Sequence, residues 1–159
     1  YRYNWGWTRG YLLELAAQYQ PSRELAEALR ESAVRELLIL STMLFPREEL
    51  TEQDVEAFLE KATNVELQEQ LAFNLLAYVP LTIRWAEEVV LSNATDESKL
   101  YVALLTIANY TKRQPDKPLP EKLMEALELY VSTEELPMHC RRVAYDLLIT
   151  LEERTASND

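Results

Sequence analysis

The chain has 159 residues, 48% of them hydrophobic, with a formal net charge of −11 and one cysteine. That size and apolar content suit a single globular domain with a substantial core and argue against intrinsic disorder. Cys140 alone rules out an internal disulfide and fits a reducing cytoplasm, while no apolar run approaches the roughly 18 residues of a membrane span.

The opening segment YRYNWGWTRG (1–10) contains Gly6 and Gly10, the only glycines of the chain. The dinucleotide fingerprint, the P-loop and the nucleophile elbow each need glycines at fixed offsets, so none can be written after residue 10. The segment also lacks the charged start and apolar run of a signal peptide; a first residue of Tyr1 raises the expectation that an upstream segment was removed or left out.

Apolar residues then recur at i, i+3, i+4 and i+7, the spacing of helices with one buried face. Leu12, Leu15, Ala16 and Tyr19 define a first helix closed by Pro21. Ser22 caps a second carrying Leu25, Ala28 and Leu29. A third runs from about Val34 to Phe45, ahead of Pro46, and holds the buried run LLILSTMLF (37–45). Thr51 and Asp54 resemble a capping box and open a fourth helix with Val55, Phe58 and Leu59. Thr63 and Glu66 make a second such box before a fifth helix over 65–79, stopped before Pro80. A sixth covers roughly 81–91 with Ile83, Ala86 and Val90, and a seventh about 97–111 with Leu100, Ala103, Leu104 and Ile107. The segment KRQPDKPLP (112–120) is the longest loop, and its Pro120 sits near a helix start, where the missing N–H costs nothing. Helices over about 121–131 and 135–153 finish the chain before a polar tail at 154–159.

Short helices alternate with longer ones that begin near residues 33, 65, 97 and 136. A period in the low thirties built from helix pairs marks an α-solenoid. The expected fold is all-α, an α-α superhelix of HEAT-like antiparallel helix pairs with about nine helices, in one domain over 1–159. A closed bundle is the rival architecture.

Charge is unevenly spread: residues 51–100 hold three basic and ten acidic groups, for −7. Phosphate backbones are bound mainly through Lys and Arg, so the balance disfavours DNA and favours a basic partner. Glu66 and Glu69, at i and i+3, share a helix face and are weak catalytic candidates; the bland alternative is a solvated helix start, where acids suit the macrodipole. His139 and Cys140 point about 100° apart on a helix, so they form no dyad. A single histidine also fails the Glu-x-x-His pairs of bundle metal sites, and no metal or cofactor is implied.

The cluster Tyr1, Tyr3, Trp5 and Trp7 with Arg2 and Arg9 has two readings. Such rings stack bases while arginine grips phosphate, or they cap the open end of a repeat array; the cap is the favoured one. Trp85 sits at helical spacing from Val89 and reads as packing. Arg84, Lys112 and Arg113 are the basic residues available to a binding groove, whereas Arg141 and Arg142 read equally as surface charges.

The stretch GWTRGYLLELA (6–16) resembles the opening of the HEAT-like DNA alkylation repair family, the alkylpurine DNA glycosylases. There a glycine and an apolar residue precede a Leu-Arg-x-Ile-Ala helix. Gly6, Trp7, Leu12, Leu15 and Ala16 hold that frame, with Leu13 replacing the arginine. ESAVRELLILSTML (31–44) is similar to the family's next long helix, led by Arg35, and the resemblance extends over roughly residues 3–110. It implies excision of alkylated bases, with aromatic faces holding the cationic base and a carboxylate supporting its departure. It also implies an aspartate beside paired tryptophans at the start of the following long helix, then a tryptophan and paired arginines. Here that helix begins VELQEQLAF without tryptophan, and Glu66 and Glu69 are the nearest carboxylates. The paired arginines fall at about Leu100 and Tyr101, with only Lys99 basic nearby. The chain resembles a shortened, degenerate member in which the catalytic pattern is missing.

Two functions follow as expectations. One is a non-enzymatic scaffold binding a protein or peptide, possibly basic, on its concave face. The alternative is a DNA-binding protein or glycosylase using Arg35, Arg84, Trp85, Lys99, Tyr101, Lys112, Arg113, Trp5 and Trp7.

Overall fold

A computed structural model describes residues 1–157. Among these the fold is all-α: α1 Arg9–Ala16, α2 Arg23–Arg30, α3 Arg35–Leu44, α4 Glu52–Lys61, α5 Val65–Asn74, α6 Pro80–Leu91, α7 Glu97–Arg113, α8 Lys122–Ser132 and α9 Met138–Ser157. Short 3₁₀ turns follow α3 and α5, at Arg47–Glu49 and Leu76–Tyr78. The chain divides into two compact units, Tyr1–Thr82 and Ile83–Asp159.

In the first unit, α3 pairs with α2 and packs between α1 and α5, while α4 lies against α5. Consecutive helices thus pack as pairs, α2 with α3 and α4 with α5, an arrangement compatible with a helical repeat. Leu12, Ile39, Leu71, Leu75 and Leu76 are fully buried between them, and Phe45 meets Phe58 edge-on at 5.5 Å. In the second unit α9 packs on both α7 and α8. Its core holds Leu100, Leu104, Ile107, Leu123 and Leu127, and the buried Tyr130 hydroxyl donates to the Val90 carbonyl at 2.6 Å, tying α8 to α6.

Helix ends follow local chemistry. Thr8, Ser22, Asn64 and Asp96 each accept a backbone N–H from the first turn of α1, α2, α5 and α7. Thr51 and Asp54 complete the expected capping box of α4. Arg23 then clamps that box: it reaches Asp54 Oδ1 and Oδ2 at 2.8 and 3.0 Å, Glu27 at 3.0 Å and the Glu49 carbonyl at 2.7 Å. One guanidinium thereby ties α2, the first 3₁₀ turn and α4 together.

Several boundaries differ from the sequence expectation. The α5 cap is Asn64, not Thr63, although the helix starts at Val65 as expected. The expected helix over 65–79 breaks at Leu75, whose ψ of −65° at φ −126° leaves the α basin, and Pro80 opens α6 rather than only closing its predecessor. Tyr19 lies beyond α1 and is exposed, and Ala26, not Ala28, is the buried alanine of α2. The tail also differs: α9 continues through Ser157, and Asn158 and Asp159 lie outside the described residues.

Glycine scarcity is met by asparagine. Asn93, at φ 52°, takes the left-handed position just after α6 that glycine usually fills. Gly6 is in the same region at φ +77°, and a Cβ there meets nothing within 4 Å; Gly10 is an ordinary helical residue in α1. The two glycines should respond oppositely. Gly6→Ala should lower stability by about 1 kcal/mol through backbone strain alone, whereas Gly10→Ala should raise it by up to about 1 kcal/mol. Urea unfolding followed by circular dichroism checks both signs.

Candidate functional site

The opening segment is fastened by its backbone. The Arg2 and Tyr3 N–H groups donate to the Ala33 carbonyl at 2.6 and 3.0 Å, the Arg35 N–H donates to Tyr3 C=O at 2.8 Å, and Tyr3 and Val34 form an isolated parallel bridge. The chain then wraps the carboxylate of Glu36, which is fully buried in the first turn of α3. Trp5 N–H donates to Glu36 Oε2 at 3.0 Å, Trp7 N–H to Oε1 at 3.2 Å and Arg35 Nη1 to Oε1 at 3.0 Å. Burial pushes this carboxyl up, but the Trp5, Glu36 and Trp7 amides and Arg35 outweigh it and hold the group below its ordinary value.

Arg35 also forks onto both oxygens of Glu66 and donates to the Trp7 carbonyl at 3.0 Å. Glu66 accepts further from the Tyr1 hydroxyl at 3.4 Å. The Arg35 hydrogen bonds hold its carboxyl below the usual range. A general acid or base needs a pKa near neutrality; Glu66 is instead a spent charge, pinned by arginine. Glu69 lies one turn further along α5 and is half-buried.

Fastening through amides leaves the rings outside. Trp5 is 51% and Trp7 37% exposed, and Tyr1, Tyr3 and Tyr11 are exposed as well. Trp7 contacts Trp5 at 5.4 Å and meets Tyr11 edge-on at 4.8 Å. The segment does sit on the ends of α3 and α5, as a cap would, yet its rings do not fill core.

The remaining sequence candidates belong to the second unit. Trp85 is buried in α6, as its spacing predicts, and Arg84 beside it is exposed. Tyr101 is buried in α7, with His139 edge-on at 4.5 Å, and Lys99 is half-buried. Lys112 and Arg113 are exposed in the last turn of α7, where cations suit the helix dipole. Burial, with Glu97 adding, pushes the Cys140 thiol up to about 11, which keeps it protonated and unreactive. A cleft of about 980 Å³ lies between the loop at Pro115–Glu121 and the end of α9. No group of three or more His, Cys, Asp or Glu side chains among the described residues is placed to hold a metal ion, and no described helix is long and apolar enough to cross a membrane.

Sequence reasoning missed Glu36 and Asn74. Asn74, buried at the end of α5, accepts from Arg9 Nη2 on Oδ1 at 2.7 Å and from Arg47 Nη2 on its carbonyl at 3.2 Å. Its amide donates to Thr42 and Gln70, both at 3.0 Å. Arg47 lies over the exposed Tyr78 ring at 3.4 Å. The partners stand four to 65 residues apart in sequence, so no local spacing marks them.

Comparison with protein families, characterised proteins and solved structures finds no match.

The Glu36 network makes two predictions. Glu36→Ala leaves the Trp5 and Trp7 N–H groups without their acceptor, while Arg35 keeps Glu66, and should cost about 2 kcal/mol or more, read as a lower urea midpoint and a change in tryptophan emission. Glu36, Glu66 and Asp54 all have lowered folded-state values, against ordinary values of 4.5, 4.5 and 3.8. Their stabilisation is present above those ordinary values and lost as pH falls through the lowered ones. The melting temperature should therefore hold from neutrality to about pH 5 and fall below it, less steeply in Glu66→Gln.

Proposed function

We propose that the chain is a non-catalytic helical-repeat scaffold that binds a protein segment on the exposed aromatic edge of its first unit. The observation that carries this reading is the attachment of the opening segment. Its backbone amides go to Glu36 and Ala33, while Trp5, Trp7 and Tyr11 pack on one another and remain partly exposed. Rigid aromatic side chains lose little entropy on binding and are enriched at recognition surfaces. Here the segment is held by other bonds, so the rings are free to serve a partner.

The catalytic alternative has less support. Excision of an alkylated base needs a carboxylate aimed at an aromatic cage, and the carboxylate in that part of the repeat, Glu66, is consumed by Arg35. The resemblance to the HEAT-like DNA alkylation repair family is kept, in this reading, at the level of helical repeats, with scaffold function in place of glycosylase activity. A soluble location in the cytoplasm accompanies it as part of the proposal.

A photo-crosslinking residue at position 11 should capture a protein, and the same residue at the exposed Glu52 should not. Equal capture at both positions, or nucleic acid alone at position 11, would overturn the reading. Purified protein should release no base from methylated DNA. Release that disappears in Glu66→Gln would restore the glycosylase alternative.

A further inference from the structure

We propose that Arg9 and Arg47, gathered on Asn74, form the anchor for a peptide bearing one or two carboxylates beside an apolar side chain. This rests on the binding-module reading above and adds the chemistry of the partner.

In the first unit Arg23, Arg30, Arg35 and Lys61 each have a carboxylate oxygen within 4.0 Å. Among the described residues, Arg2, Arg9 and Arg47 make no such pair; Arg2 lies 5.6 Å from the Tyr3 ring centroid, and the other two reach Asn74. This unit holds seven basic and thirteen acidic residues, so carboxylates are plentiful. Of the three cations that lack one, Arg2 and Arg47 lie by exposed aromatic rings, and Arg9 stands in sequence between Trp7 and Tyr11.

Two guanidinium groups converging on one asparagine repel each other unless solvent or an anion lies between them. Part of the arrangement has a structural explanation, because Arg47 meets a carbonyl at the C-terminus of α5, where a cation is favoured. Arg9 has no such explanation. It is the first residue of α1, a position that disfavours positive charge, and the first turn of α1 carries no acid. Each guanidinium spends one N–H on Asn74, and the rest of its fork matches a carboxylate. Arg9 follows Trp7 and precedes Tyr11, which touch each other, and Arg47 lies on Tyr78. An anionic group seated at the arginines thus has aromatic faces beside it for a neighbouring apolar side chain.

Charge complementarity decides between a peptide and a nucleic acid strand. A strand brings a phosphate at every step and must pass over a unit whose remaining charge is acidic. A short peptide brings its one or two carboxylates to Arg9 and Arg47, which share Asn74 and have no carboxylate of their own. The same acidic surroundings repel a polyacidic tract, so the fitting partner is sparsely acidic. The partner is therefore acidic, opposite to the basic one that net charge favours.

A random-peptide library selected on the immobilised protein tests this. The expected result is enrichment of peptides with one or two Asp or Glu next to an aromatic or aliphatic residue. A synthetic copy should bind about tenfold more weakly to the Arg9→Gln/Arg47→Gln double variant, and likewise when its acids are changed to amides. Titrating it into the wild-type protein should shift the Arg9 and Arg47 Nε–H resonances, a readout that does not depend on a variant folding. Arg47→Lys should keep part of the affinity. Enrichment of Lys- and Arg-rich peptides, or binding unaffected by these changes, overturns the anchor and leaves the binding module standing. No enriched peptide together with no protein captured at position 11 overturns both. A single-stranded oligonucleotide that binds in place of peptides and is lost in the double variant replaces the peptide with nucleic acid and overturns the proposal.

Discussion

A carboxylate with no access to water is costly unless every lone pair facing the protein is used. Glu36 meets that condition through the chain's own beginning. Two amides of the opening segment and the Arg35 guanidinium occupy its oxygens, and Arg35 in turn holds Glu66 on α5 and the Trp7 carbonyl. The segment, α3 and α5 are therefore fixed by one charge-assisted network. The exposure of Trp5 and Trp7 follows from the same network, because the segment is held by its polar backbone and its rings need not be buried.

Arg23 is a counterpart at the other face of α3's neighbours. It joins α2, the turn after α3 and α4 through Asp54, Glu27 and Glu49, and lies 4.8 Å from the Phe45 ring centroid. Both arginines join elements 26 to 31 residues apart in sequence through charge-assisted hydrogen bonds. Their guanidinium groups are held well above the ordinary arginine value by those partners, so the clamps keep their cations at any pH where the fold exists. The carboxylates are the members that titrate.

The fold was legible because its determinants are local. Apolar spacing, Ser22, the Thr51–Asp54 box and the prolines lie within one or two turns of the boundaries they set, and the starts of α5 and α7 match the expected period. Errors arose where tertiary packing overrode a local cue. Leu75 leaves the helical basin and is itself fully buried, and Pro80 begins a helix because a proline at the first position loses no hydrogen bond. The site was legible only by name. Arg35, Glu66, Trp5 and Trp7 come together, but Arg35 and Glu66 are structural partners 31 residues apart. Glu36 looked like any acid in a first helical turn, and Asn74 like any helix-ending amide. Their meaning lies in contacts that sequence spacing does not encode.

Net charge and local pairing point to different partners. A sum over the chain, or over its middle third, weighs neutralised and unneutralised groups alike, and most cations of the first unit are already spent on carboxylates. What a partner meets is the remainder. Here the remainder is acidic over most of the unit and cationic only at Arg2, Arg9 and Arg47, of which Arg2 and Arg47 lie by exposed rings. A partner that senses the whole molecule at long range is repelled if acidic, yet at contact distance it meets two guanidinium groups bonded to an asparagine and to no carboxylate. Screening at physiological salt shortens the repulsion to about 8 Å, whereas a hydrogen-bonded carboxylate at the arginine fork is screened much less. On the proposed reading, local pairing, and not the total, selects the ligand.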